Sequence, residues 1–202
     1  MSTASQITIT PIQVGDLTAV EMPVFVHLID HPDARILVDT GFTELHPAIA
    51  DMEPVIQPLS GRELDLTSID LVVNTHLHFD HCGGNSLFPG VPMHVQRQEL
   101  TDARTLPEYT ITEWVDPPGQ PLNYVEVDGD HELLPGVRLL ATPGHTRGSQ
   151  VVAVTTAAGV EVIAGDTAVW SGELDDPQTE GQRRIVSLHP VRVWLSHQVD
   201  PW

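Results

Sequence analysis

Apolar residues along this chain gather in short runs, mostly alternating or β-branched, rather than in long stripes of helical period. "ITITPIQV" (7–14), "VFVHLI" (24–29), "RILVDT" (35–40), "IDLVVNT" (69–75), "PMHVQ" (92–96), "VRLLAT" (137–142), "QVVAVTT" (150–156), "VEVIAG" (160–165) and "VRVWLS" (191–196) are of strand length, separated by Gly, Pro or Asp. Helical signals are fewer: "TELHPAIADM" (43–52), "RQELTDARTL" (97–106) and a short segment after Asp80-His81. Mixed strands and helices predict a layered α/β (α+β) fold, and the excess of strands favours a pair of sheets over one doubly wound sheet. The irregular, Pro-rich stretch 107–121 reads as a loop, either plain surface or a lid over a site. Residues 165–177 read as another loop, with Asp175 and Asp176 in solvent. With no repeat, low-complexity tract or linker, 1–202 reads as a single domain.

Composition narrows the partners. A net charge of −19 would repel a phosphate backbone, so nucleic acid is not an expected partner. All nine basic residues are arginines, and the absence of lysine excludes Schiff-base chemistry and a P-loop phosphate site. No apolar run is long enough to span a bilayer, and "MSTASQITIT" lacks the basic and apolar regions of a signal peptide. The single cysteine, Cys82, leaves no intrachain disulfide and suits a reducing interior. The expectation is a cytoplasmic protein with neither nucleic acid nor membrane as partner. Met22, Phe25 and the 107–121 loop offer apolar surface for a pocket or a homodimer contact.

One segment changes the picture: "NTHLHFDHCGGN" (74–85), with His76, His78, Asp80 and His81 inside six residues. Two-residue spacing beyond the strand-like "LVVNT" points His76 and His78 the same way. Gly83-Gly84 would let the backbone turn sharply. Imidazole and carboxylate are the donors that zinc takes in catalytic sites. A solvated histidine-rich loop is the plainer alternative. Three further strand-like runs, however, end in ligand-type residues: His145 in "LLATPGHTRGS", Asp166 in "VIAGDTAVW" and His197 in "VWLSHQVD". Singly, each would be a cap or a structural residue. Together they predict a metal site, in which Cys82 reads as a small buried neighbour.

This set, His76-x-His78-x-Asp80-His81 with His145, Asp166 and His197, resembles the metallo-β-lactamase superfamily. "MPVFVHLIDHPDARILVDTGF" (22–42), "THLHFDHCGGN" (75–85), "VQRQEL" (95–100) and "LPGVRLLATPGHTRGSQ" (134–150) resemble its N-acyl-homoserine lactonase branch. The resemblance implies a four-layer αββα sandwich, two mixed sheets face to face with helices outside. It also implies two Zn2+ ions, with Mn2+ or Fe as alternatives. His76, His78 and His145 would hold one ion, Asp80, His81 and His197 the other, and Asp166 would bridge them. Asp80 and Asp166 are then the expected catalytic carboxylates, around a water activated to hydroxide that attacks a lactone or ester carbonyl. Asp80 could also pass a proton to the leaving alkoxide. Asp39 and Thr40 in "LVDTG" resemble the branch's buried strand-end pair and are candidates to orient a ligating histidine. Asp39 could equally cap a turn at Gly41.

Two positions differ from the branch. Val169 stands where these lactonases carry a tyrosine, and Gln198 stands where an aspartate usually follows the last histidine. They keep two alternatives open, a thioesterase of glyoxalase II type and a metal-binding member with little catalysis. A single-iron centre using oxygen is a third.

Overall fold

The computed structural model describes residues 7–62, 64–106 and 109–202. Residues 1–6, in the segment read for a leader, and Pro107-Glu108, at the head of the irregular stretch, lie outside them. Seven strands form one sheet: β1 (Thr8–Leu17), β2 (Met22–His31), β3 (Ala34–Val38), β4 (Pro54–Ile56), β5 (Leu71–Val73), β6 (Pro92–Gln96) and β7 (Asn123–Val127), in the order β4-β1-β2-β3-β5-β6-β7. Antiparallel pairing from β4 to β3 gives way to parallel pairing from β3 to β7. Five strands form the second: β8 (His131–Leu134), β9 (Val137–Ala141), β10 (Gln150–Thr156), β11 (Gly159–Ile163) and β12 (Arg192–Trp194), in the order β12-β11-β10-β9-β8.

Side-chain alternation explains how these strands stack. On β2, Val24, Val26 and Leu28 face outward into one apolar cluster while Ile29 faces the other sheet. On β3, Leu37 goes outward, and Ile36 and Val38 inward. The second sheet mirrors this: Leu139, Val152, Val154 and Ile163 meet the first sheet, while Leu140, Val151, Ala153 and Val162 pack beneath a helical layer. Both faces of the inner strands are therefore buried, which is why they read as near-continuous apolar runs. The result is the four-layer αββα sandwich with two mixed sheets.

The helices are short: α1 (Phe79–Cys82), α2 (Arg97–Thr105), α3 (Thr112–Val115), α4 (Gly172–Asp175) and α5 (Glu180–Ser187). None is long and apolar enough to cross a membrane. The helix expected over 43–52 is a 3₁₀ segment, Pro47–Met52. Pro47 keeps His46 extended, and the His46 ring accepts the Ala48 N–H at the start of the segment. Strands β4, β7 and β8 and helices α3, α4 and α5 have no counterpart in the sequence reading, α3 lying in 107–121 and α4 in 165–177, both read as loops. β7 (NYVEV) and β8 (HELL) are part-exposed strands whose polar residues hide their period. α5 did carry a signal, because Thr179 and Gln182 form a reciprocal capping box.

Candidate metal centre

The C-terminal ends of β3, β5, β9, β11 and β12 open on one edge of the sandwich, and each delivers side chains to it. Asp39-Thr40 follow β3, His76 to His81 follow β5, His145 follows β9, Asp166 follows β11 and His197 follows β12. The sheets are clipped together there, with the Gln150 N–H donating to Thr75 O at 2.9 Å and the Phe25 N–H to Ser196 O at 2.8 Å. Gly165 has φ 51°, and a Cβ there would meet the Thr75 hydroxyl at 2.5 Å. Only glycine lets Asp166 come so close to the β5 loop.

His76 and His78 do point the same way, their ring centroids 4.6 Å apart, while Leu77 between them is buried in the opposite direction. Gly83 and Gly84 act differently from expectation. Neither has positive φ. They are glycines because a Cβ on Gly84 would strike the Thr40 carbonyl and one on Gly83 would strike Trp114. The constraint is close packing, not a sharp turn.

All seven candidate ligands converge, in two groups. His76, His78 and His145 each offer a ring nitrogen, and these lie within 4.8 Å of one another. His145 Nε2 is 3.0 Å from His78 Nδ1. Asp80, His81 and His197 form a second group within the same limit. Asp166 lies between. Its Oδ2 is 3.4 Å from His145 Nε2 and 3.8 Å from His76 Nε2, while Oδ1 is 3.2 Å from His81 Nε2 and 3.3 Å from His197 Nε2. Each oxygen of one carboxylate thus faces a different group.

The other ring nitrogens of His81 and His197 are engaged. His81 Nδ1 donates to Asp39 Oδ2 at 2.8 Å, and Asp39 also accepts the Thr75 N–H and hydroxyl, both at 2.7 Å. Asp39 adopts φ 61°, an unusual cost for a non-glycine residue, and its carboxylate thereby faces His81 and Thr75. Thr40 bonds the Asn85 side chain and the backbone carbonyl of His81, so it steadies α1 rather than an imidazole. His197 Nδ1 donates to Pro23 O at 2.9 Å. Cys82 is buried, and its thiol reaches only Leu77 O and Thr110.

Charge divides the groups. Burial pushes the His76 pKa well down, helped by the neighbouring His81. Burial and the adjacent His145 bring His78 down to about 4. His81 goes the other way: burial opposes protonation, but Asp166, Asp80 and Asp39 outweigh it and raise its pKa well above the usual value. His197 is likewise raised, Asp166 overcoming burial. Asp166 is held well below the usual carboxylate range, burial notwithstanding, by His81 and His197. The fit to divalent ions rests on the donors themselves. His76 Nε2, His81 Nε2 and Asp166 Oδ1 are buried and make no hydrogen bond of good geometry among the described residues, although Asp166 Oδ1 has the charges of His81 and His197 close by. Uncompensated polar atoms of this kind are costly unless a cation takes them.

The sequence model of the metallo-beta-lactamase superfamily matches residues 19–186. The chain belongs to that superfamily. It is 32% identical over 183 residues to an N-acyl homoserine lactonase of a Bacillus species, spanning 82% of this chain and 70% of that one. A human metallo-beta-lactamase domain-containing protein 1 is 36% identical over 170 residues, covering 78% of this chain and 56% of its own. Among solved structures, a quorum-quenching N-acyl homoserine lactone lactonase superposes with a TM-score of 0.78 at 26% identity, over 98% of this chain and 94% of that one. The protein is a metallo-hydrolase of this superfamily, similar to its lactonases.

A cavity of about 310 Å³ opens onto the centre, lined by His78, Asp80, His145, Asp166 and His197 and by Leu17, Val20, Met22, Met52, Phe79 and Val169. A neighbouring cavity of about 530 Å³ shares Met52, His78 and Phe79 and continues to Ile49, Tyr109 and Ile111. The 107–121 stretch therefore flanks the site. A larger cavity, about 600 Å³ beside Leu45, His46 and Val55, touches none of the seven residues. Val169 is part of the site wall. Gln198 accepts the N–H and hydroxyl of Ser171, at 3.0 and 2.9 Å, tying the His197 loop to the turn after Val169. Sequence reasoning missed Glu99. It is fully buried on α2; it lies in the branch-like "VQRQEL", but that resemblance gave it no role.

Proposed function

We propose that the chain opens a lactone or related ester, of the N-acyl homoserine lactone kind, at a pair of divalent ions, with zinc the expected metal. His76, His78 and His145 would hold one ion and Asp80, His81 and His197 the other, with Asp166 shared. The observation that carries this reading is the two-sided Asp166 carboxylate, one oxygen toward each group, at the wall of a cavity otherwise largely apolar. The likeness to Bacillus lactonases supports the substrate class.

Divalent ions bound there supply a water of near-neutral pKa and draw charge from a substrate carbonyl. The chain's own residues do the rest. Asp166 offsets the positive charge of both positions and keeps the two groups in register. Leu17, Val20, Met22, Met52 and Phe79 take up an acyl chain and exclude water, which strengthens every electrostatic contact at the reacting carbonyl. Asp80 lines the cavity, where its carboxylate can take the proton that the attacking water gives up and pass it to the departing alkoxide. No hydroxyl assists from position 169, because valine stands there. That valine is the one observation favouring the second reading, a thioesterase, whose thiolate leaving group needs no proton donor.

The test is a pH-drop assay of ion-loaded protein against short- and long-chain acyl-homoserine lactones, with a simple thioester beside them. Lactone turnover that disappears in His78→Ala supports the proposal. Thioester turnover alone, with two ions bound, would transfer the assignment to the second reading.

A further inference from the structure

The geometry points to Glu99 as the positioning residue of one metal position only, the one built from His76, His78 and His145; this rests on the two-ion reading above. Glu99 is 0% exposed in the first turn of α2, where it has no cationic partner within ion-pair distance among the described residues. Instead its carboxylate accepts three hydrogen bonds. Oε1 takes the Leu77 N–H at 2.7 Å and the Tyr109 hydroxyl at 2.6 Å, and Oε2 takes the Thr146 hydroxyl at 2.7 Å. Leu77 is the residue between His76 and His78. Thr146 follows His145. The Tyr109 ring lies 5.3 Å from the His78 ring, centroid to centroid.

One buried carboxylate therefore holds both loops that supply this group, and the aromatic wall beside it. The approach is tight: a Cβ on Gly148, in the His145 loop, would collide with the Glu99 backbone. None of the three donors adjoins Asp80, His81 or His197. The opposite group has its own anchor, because Asp39 bonds His81 directly. Glu99 thus serves the first group alone, through the backbone and hydroxyl beside its imidazoles, whereas Asp39 bonds His81 and, through Thr75, also reaches the chain beside His76. A carboxylate suits the task because three donors converge on it and two loops from different sheets can be fixed by one group.

The experiment is a competitive titration of zinc or cobalt against a chelator, resolving two affinities, for wild type, Glu99→Gln and Asp102→Asn. Glu99→Gln preserves shape but turns one acceptor into a donor. Asp102, one turn on and paired with Arg147 at 2.9 Å, tethers the same loop without touching a residue adjacent to a ligand, and serves as the control. The expected result is that Glu99→Gln weakens one ion about 10- to 100-fold and leaves the other within about twofold, while Asp102→Asn keeps both. The weakening persists in a His197→Ala background and vanishes in His145→Ala, as coupling to one position requires. Equal loss at both positions, no loss at either, or the same loss in Asp102→Asn overturns the assignment. A wild type that binds fewer than two ions overturns the two-ion reading along with it; two ions in wild type with Glu99→Gln unchanged overturns this inference alone.

Discussion

The two halves of the centre are built on different electrostatic plans. His76, His78 and His145 form a group of three imidazoles with no carboxylate of its own, and it opens toward solvent, since the His145 side chain is 32% exposed. Asp80, His81 and His197 form a buried group in which acids and imidazoles already compensate one another, and the His81 side chain is 1% exposed. In the first group desolvation keeps His76 and His78 neutral, His78 with its pKa brought down to about 4. The second favours protonated histidines beside Asp80, Asp166 and Asp39. Neutral imidazole is ready to ligate, whereas a protonated one must first lose its proton. One chain has thus made one exposed, pre-neutralised position and one buried, charge-paired position, joined by a single carboxylate.

Asp166 is the shared piece, so its loss should have the largest effect. Asp166→Asn removes the anion facing both groups, and breaking a buried charged cluster costs about 3–5 kcal/mol. Affinity should fall at both positions, and lactone turnover with it, by about two hundred- to several thousandfold. Loss confined to one ion would contradict the shared geometry.

Asp39→Asn should act chiefly on the second half, through His81, with a smaller effect on the first, because Thr75 beside His76 also bonds Asp39. His81 loses its charged acceptor, and the second position weakens by about 10- to 100-fold. Chelator titration reads this directly, and weakening of the first position instead would break the comparison.

Much of this was legible in the sequence. The seven ligand-type residues were visible because strand ends and close spacing concentrate them, and the paired sheets were visible because buried strands alternate between two apolar faces. The anchors were harder. Asp39 could be named through the "LVDTG" resemblance, but its partner could not, since His81 lies 42 residues away and only the fold joins them. Glu99 stood in the branch-like "VQRQEL", but its role could not be read because its three donors come from separate loops. The Gly83-Gly84 pair was misread, because a sequence shows glycine without showing whether φ or crowding demands it. The 43–52 segment was misread because Pro47 delays the start until after an extended His46, and the six residues that follow wind as 3₁₀ and stop at Glu53 in the left-handed region.

A smaller effect concerns His27, buried behind the second group. Burial, with the nearby His81 charge, lowers its pKa from 6.5 to about 3. The folded pKa lies below the unfolded one, so the unfolded chain takes the proton first. The stability contribution is complete above about pH 6.5 and is lost progressively as pH falls toward 3. Between pH 7.5 and 5 this single group should cost about 2 kcal/mol. Denaturant midpoints for wild type and His27→Gln at the two pH values test it. The variant should show a shallower decline, and an equal slope in both proteins would mean that His27 is not held neutral.

The most direct test of the central claim is metal content of the purified protein measured together with lactone turnover. Close to two divalent ions per chain and opening of acyl-homoserine lactones are expected, with ions and turnover falling together in Asp166→Asn. Two bound ions with no lactone opening, or fewer than two ions in a fully active protein, would contradict that claim.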